Sequence, residues 1–258
     1  MEKPSRVVVK IGSSSLTYEN GKLNLRRMDR LVRVLSDLQN SGVQVVLVSS
    51  GAISVGFRKL GLPEKPHDIP GKQASAAVGQ CELMYTYDKL FSEYGHAVAQ
   101  VLLTRDVVEN AEMNENAVNT FDTLLGLGAI PIVNENDTVS IDEIKIGDND
   151  TLSAMVATMV RADLLVLMSD IDGLYDSDPH TNPGARLIER VERITDEIMA
   201  LGGGSASAVG TGGMLTKLTA AKTVTAQGID MVIVSAENPD ILYDVLDGKP
   251  AGTRFAAQ

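Results

Sequence analysis

The sequence predicts an α/β protein: a three-layer α/β/α sandwich on a mainly parallel central sheet. Two observations lead there. Short runs that are apolar on both faces alternate with longer stretches of helical periodicity, the pattern of parallel strands covered by helices on either side. No composition break or internal repeat divides the 258 residues, so one domain is expected over 1–258.

The elements follow in order. Arg6 to Ile11 reads as a strand closed by Gly12-Ser13-Ser14-Ser15. Asn24 to Asn40 carries Leu25, Met28, Leu31, Val32, Leu35 and Leu38 at helical spacing. Val43 to Val48 is a second buried strand ending at Ser49-Ser50-Gly51, and a Pro-rich connection (Pro63, Pro66, Pro70) leads to a long helix over Gln73 to Tyr94. His96 to Leu103 and Ala129 to Val133 are strands on either side of a helix from Asn114 to Leu127. Val139 to Ile146 alternates like an exposed hairpin. A helix over Thr151 to Arg161, a strand over Asp163 to Met168, a helix from Met214 to Gln227, a strand over Asp230 to Val234 and a last helix near Pro239 to Leu246 complete the pattern.

Composition excludes several function classes. Hydrophobic residues make up 44% of the chain, aromatics only 4%, and tryptophan is absent, so the core must be aliphatic. A formal charge of −11 argues against nucleic acid as a partner, because phosphate-backbone affinity comes from clustered Lys and Arg. Cys81 is the only cysteine, which rules out an intramolecular disulfide and fits a reducing compartment. The N-terminus enters a strand without an apolar signal region, and no stretch approaches the roughly 18 apolar residues of a membrane span. A soluble, cytoplasmic protein with no membrane partner is expected.

Ligands of a parallel sheet bind at the carboxyl ends of its strands, so those ends are the place to look. They carry Lys10 with Gly12-Ser13-Ser14, Ser49-Ser50-Gly51, Asn134-Glu135-Asn136-Asp137, Gly147-Asp148-Asn149-Asp150, and Ser169-Asp170. Gly210-Thr211-Gly212-Gly213-Met214-Leu215-Thr216-Lys217 opens a later helix. Each motif alone has a plain reading as a turn or a helix cap. All of them falling at the ends where one cleft would form is harder to explain that way. In the last segment, glycines let backbone N–H groups approach phosphate oxygens, and Lys217 adds a full charge one turn into the helix. The spacing is not that of a Walker A loop, and no G-x-G-x-x-G follows the first strand.

Two lysines from opposite ends of the chain, Lys10 and Lys217, suit phosphoryl transfer, which needs charge neutralisation on the moving group more than acid–base chemistry. Asp150 beside them would hold both ammonium groups in place. The histidines (His67, His96, His180) have neither metal-ligand spacing nor a nucleophile motif. A site without a base candidate favours an acceptor already ionised at neutral pH, such as a carboxylate.

These motifs resemble the amino acid kinase family over about Ser5 to Phe255, and within it the branch that acts on glutamate. The segments that carry the resemblance are Val-Val-Lys10-Ile-Gly-Ser-Ser, Val-Ser-Ser50-Gly-Ala-Ile, Val-Asn134-Glu-Asn-Asp137, Ile-Lys-Ile-Gly-Asp148-Asn149-Asp150 and Gly-Thr211-Gly-Gly-Met-Leu-Thr-Lys217. The resemblance implies ATP-dependent phosphorylation of the γ-carboxylate of L-glutamate, the first step of proline synthesis. It gives Lys10 and Lys217 the phosphates, Asp150 the task of organising them, and Ser169, Asp170 and Thr211, Gly212, Gly213, Met214, Leu215, Thr216 and Lys217 the nucleotide. Ser50, Gly51, Asn134, Asp137, Asp148 and Asn149 fall to the substrate, with Asp137 and Asp148 facing its ammonium group.

It further implies a substrate-binding half over about 1–160 and a nucleotide-binding half over about 161–258. Mg²⁺ is expected on the ATP phosphates with no dedicated protein metal site. Proline is implied as a feedback inhibitor, a glutamyl phosphate reductase as a pathway partner, and a homo-oligomer as the assembly. Many relatives carry a C-terminal domain similar to PUA domains; this chain stops at Gln258, and the catalytic region is expected to be whole without that domain. Rival readings are a sister kinase for N-acetylglutamate or aspartate, a non-catalytic amino acid sensor on the same fold, and, more distantly, a dehydrogenase. The polar loop from Asp172 to Gly184 is expected to be mobile.

Overall fold

In the computed structural model of the chain, residues 3–140, 149–179, 181–203 and 213–258 are described. The chain begins with β1 (Arg6–Ile11), the one-turn α1 (Ser13–Leu16), α2 (Leu25–Asn40) and β2 (Gln44–Ser49). It continues through α3 (Ala52–Lys59), α4 (Ile69–Ser92), β3 (Val98–Leu103), α5 (Arg105–Glu109), α6 (Ala111–Gly126) and β4 (Ile130–Glu135). Then come α7 (Asp150–Met159), β5 (Leu164–Ser169), β6 (Arg190–Val191), α8 (Asp196–Leu201), α9 (Met214–Thr225), β7 (Asp230–Ser235), α10 (Ile241–Leu246) and β8 (Thr253–Phe255).

Eight strands form one sheet in the order β3-β4-β2-β1-β5-β7-β8-β6. Pairing is parallel from β3 across to β7, with β1 in register against both β2 (Lys10 beside Val48) and β5 (Lys10 beside Leu167). β8 runs antiparallel to β7 and carries β6 parallel to itself at the edge. The sheet is therefore mainly parallel, as the doubly apolar strand pattern requires.

Alternation along β1 sends Val7 and Val9 into one core and Val8 into another. The first core is closed by α2, α3, α4 and α10, and the second by α6, α7 and α9. Lys10 sits two residues after Val8 and so shares the face covered by α7 and α9. Because the chain lays β2, β3 and β4 on one side of β1 and then β5 and β7 on the other, it reverses its winding direction at β1. In such sheets ligands bind beyond the carboxyl ends of the strands at that point.

Several elements differ from expectation. The long helix α4 starts at Ile69, because the Asp68 side chain caps it by accepting from Gly71 N–H at 2.7 Å, and Pro70 is at home in a first turn. α3 was not expected at all. Gly56 in its middle weakens the helical signal, yet the structure uses that glycine: a Cβ there would lie 1.7 Å from the Ser75 carbonyl oxygen of α4. Gly79 of α4 meets α3 in the same way, its Cβ position being 1.8 Å from the Ala52 carbonyl oxygen. The two helices thus touch backbone to backbone. α5, α8, β6 and β8 are too short to leave a readable periodicity. Most of the expected hairpin over 139–146 lies outside the described residues. No helix among the described residues is long and apolar enough to cross a membrane.

Candidate active site

The carboxyl ends of β1, β2, β4 and β5 deliver Lys10, Ser49-Ser50, Asn134 with Asp137, and Ser169, while the first turns of α3, α7 and α9 face them. None of these three helices has a side-chain cap at its N-cap residue, Gly51, Asn149 or Gly213. Away from the site, Asn24, Asp68, Asn110 and Thr195 each cap a helix with a side-chain oxygen, whereas Thr104 before α5 and Asp240 before α10 do not. The first-turn N–H groups at the site are thereby left for other acceptors. Gly51 also sits at φ 103°, a left-handed conformation that lets the chain turn from β2 straight into α3.

At the centre, Asp150 is fully buried at the start of α7. Its Oδ1 accepts from Lys10 Nζ at 2.6 Å and its Oδ2 from Lys217 Nζ at 3.0 Å. Thr216 Oγ1 lies 3.1 Å from the same Oδ2. Burial alone would push the Asp150 carboxyl up. The Lys10 and Lys217 charges, with their hydrogen bonds, outweigh it and hold the group at about 2. Both lysines are themselves buried, so two ammonium groups share the Asp150 carboxylate in a site screened from water. Such a cluster is built to meet dense negative charge.

A second polar cluster lies across β2 and β4. Asn149 Nδ2 donates to the Ser49 carbonyl (3.1 Å), Ser50 Oγ (2.9 Å) and Asn134 Oδ1 (2.8 Å). The Asn149 Oδ1 and Asp137 Oδ1 atoms are buried and have no hydrogen-bond partner. Two unsatisfied buried acceptors call for a donor from outside the chain. The Asp137 carboxyl is raised to about 7, by burial first and then by the Glu135 charge, against the opposing pull of Lys65. Beneath the cluster, Ser49 Oγ and the Tyr87 hydroxyl lie 2.9 Å apart, and burial lifts the Tyr87 phenol above its ordinary range.

Of the residues singled out from sequence, Lys10, Asp150 and Lys217 meet directly, and Ser50, Asn134 and Asn149 meet directly. Asp137 lies two residues past β4, with its buried carboxylate beside Glu135. Ser169 ends β5 and its Oγ donates to Asp170 at 2.9 Å, with Asp170 exposed to solvent. Gly213, Met214, Leu215 and Thr216 form the N-cap and first turn of α9. Asp148, Thr211 and Gly212 lie outside the described residues. Sequence reading missed Gln80, whose Oε1 accepts from Asn134 Nδ2 at 3.0 Å. It sits inside a long helix, and nothing in its local pattern separates it from an ordinary surface glutamine. Among the described residues, no group of three His, Cys, Asp or Glu side chains is placed to hold a metal ion.

Comparison with known proteins agrees with this geometry. The chain is 58% identical over 262 residues to the glutamate 5-kinase of Clostridium perfringens (strain 13 / Type A), covering 100% of this chain and 97% of that relative. It is 56% identical over 251 residues to the glutamate 5-kinase of Clostridium tetani (strain Massachusetts / E88), covering 97% and 94%. In fold it is similar to the UMP kinase of Ureaplasma parvum, with a TM-score of 0.67 at 16% identity over 99% of this chain and 100% of the other. Residues 5–235 match the pattern of the Amino acid kinase family. With that match spanning most of its length, the chain belongs to the amino acid kinase family.

Proposed function

We propose that the chain transfers the γ-phosphoryl group of ATP to the γ-carboxylate of L-glutamate, giving L-glutamyl 5-phosphate and ADP, the first step of proline synthesis. The single observation that carries this reading is the pair of buried ammonium groups of Lys10 and Lys217 on one Asp150 carboxylate. A carboxylate oxygen of the acceptor attacks the γ-phosphorus; the bond to the β–γ bridging oxygen breaks, and its electron pair leaves with ADP. Charge develops on the leaving oxygen and spreads over the moving phosphoryl group, and Lys10 and Lys217 neutralise it at no reorganisation cost. Asp150 keeps both Nζ atoms aimed. The uncapped first turn of α9, starting at Gly213, suits nucleotide phosphates, with Ser169, Asp170 and Thr211 to Thr216 around the nucleotide. When bound, Mg²⁺ would supply further charge neutralisation on the phosphates, with the nucleotide and water providing most of its ligands.

The choice of glutamate rests on the unsatisfied Asp137 and Asn149 oxygens, which suit a free α-ammonium group. An N-acetylated substrate brings no such charge and would leave the buried Asp137 carboxylate uncompensated. Ser50, Gly51, Asn134 and Asp148 complete the acceptor site in this reading, and the two halves of the chain supply substrate and nucleotide separately. The relatives' shared name supports the same assignment. A cytoplasmic location, proline as inhibitor, a reductase that consumes the labile acyl phosphate, and a homo-oligomeric assembly belong to this reading too.

The test is ATP consumption with Mg²⁺ and hydroxylamine, comparing L-glutamate, N-acetyl-L-glutamate and L-aspartate as acceptors. Hydroxamate formed with L-glutamate alone is the expected result. Equal turnover of the acetylated acid, or none with any of the three, would overturn the assignment.

A further inference from the structure

The polarity of every amide in the acceptor cluster can be worked out from backbone groups that have only one role. Glu135 N–H can only donate, and it donates to Asn134 Oδ1 at 2.9 Å. The amide nitrogen of Asn134 must then face the other way, where Gln80 Oε1 accepts from it at 3.0 Å. Gln80 Nε2 in turn faces Gln100 Oε1 at 3.1 Å. At the other end, the Ser49 carbonyl can only accept, so the Asn149 nitrogen points to it and the Asn149 oxygen points away from the cluster. That buried oxygen is one of the two without a partner.

We infer that Gln80 is a positioning residue for the acceptor site, acting through Asn134 to hold the Asn149 carbonyl oxygen toward the substrate's ammonium group. The chain runs Gln100, Gln80, Asn134, Asn149, and each amide donates to the oxygen of the one before it. Without an acceptor at position 80, the Asn134 nitrogen would be buried and unsatisfied, and the amide cannot turn over to relieve it, because Glu135 N–H and Asn149 Nδ2 both donate to its oxygen. Asn134 would instead shift toward another acceptor, drawing its oxygen away from Asn149 Nδ2 and loosening the amide whose oxygen faces the acceptor site.

The backbone keeps Gln80 in place. It follows Gly79, where a Cβ would lie 1.8 Å from the Ala52 carbonyl oxygen, so α4 meets α3 backbone to backbone beside it. The same contact holds the start of α3 beside Ser50, so both walls of the cluster share one rigid joint.

The inference rests on the proposed acceptor, and its test separates the two. Binding of L-glutamate is measured by calorimetry without nucleotide, alongside turnover, for the unmodified protein, Gln80→Leu, Gln80→Glu, and Gln80→Leu combined with Asn149→Ala. Gln80→Leu should weaken L-glutamate binding about tenfold, the size of one misdirected hydrogen bond to a charged group. The KM for ATP should stay within about twofold. Gln80→Glu keeps an acceptor for Asn134 and should restore most of the affinity. Gln80→Leu should add no further loss once Asn149 is Ala, because the effect travels through that side chain. Unchanged L-glutamate affinity in Gln80→Leu, an equal loss in the Asn149→Ala background, or a parallel loss of ATP affinity would overturn the inference. If the unmodified protein binds L-glutamate but does not phosphorylate it, the proposed function fails and these affinities still decide the role of Gln80. If it binds no L-glutamate, both fail.

Discussion

Asp150 and Asp137 are both buried carboxylates, and their surroundings drive them in opposite directions. Asp150 is held at about 2, below its ordinary 3.8, so it contributes stability above that value and loses it as the pH falls toward 2. Replacing it with Asn leaves two buried ammonium groups facing each other. Asp150→Asn should lower stability by about 3–5 kcal/mol in urea unfolding, and ATP should recover part of the loss. Asp137 is raised from 3.8 to about 7, so its contribution is present below 3.8 and is lost as the pH rises to 7. An ammonium ligand needs the charged form. The KM for L-glutamate should therefore rise as the pH falls below about 7, by up to about tenfold per unit. Asp137→Asn should raise that KM at pH 8 and flatten its pH dependence. The residues themselves were legible in the sequence because strand-end motifs name them; the direction of each titration was not, since it depends on neighbours far along the chain.

At the scale of elements, the joint between α3 and α4 carries the most consequence for the site. Gly56→Ala would place a methyl group 1.7 Å from the Ser75 carbonyl, and neither helix backbone has room to give. The substitution should cost at least about 1–3 kcal/mol in thermal or urea unfolding. Because Ser50 lies immediately before Gly51, the N-cap of α3, it should also raise the KM for L-glutamate more than the KM for ATP. An Ala variant as stable as the unmodified protein would show that the helices can separate without penalty. This joint was not legible in the sequence. A glycine in a helix reads locally as a weakness, and only the partner helix reveals why no larger residue fits.

For the molecule as a whole, the decisive property is a sheet buried on both faces. Val8 and Val9 are neighbours in β1, both fully buried, and they point into separate cores. Val8→Ala and Val9→Ala should each lower stability by about 2 kcal/mol, read as a shift in urea midpoint with unchanged slope. In a sheet with one wet face, only one of the two would matter. The formal charge of −11 belongs to this scale too. An acidic molecule that handles anions must concentrate its positive charge locally, and bringing Lys10 and Lys217 together, buried, on the Asp150 carboxylate does so.

The sequence by itself determined the order of the longer elements, the mainly parallel sheet, and the strand-end residues that the proposed chemistry uses. These are local properties: hydrophobic period, turn residues and short motifs are written within a few positions of one another. Only the tertiary structure decided which charges meet, that Asp150 bridges lysines 140 and 67 residues away in sequence, and that a helical glutamine accepts from Asn134 at the edge of the polar cluster. Distances between residues remote in the chain are set by how the layers pack, and no short window of sequence contains that information.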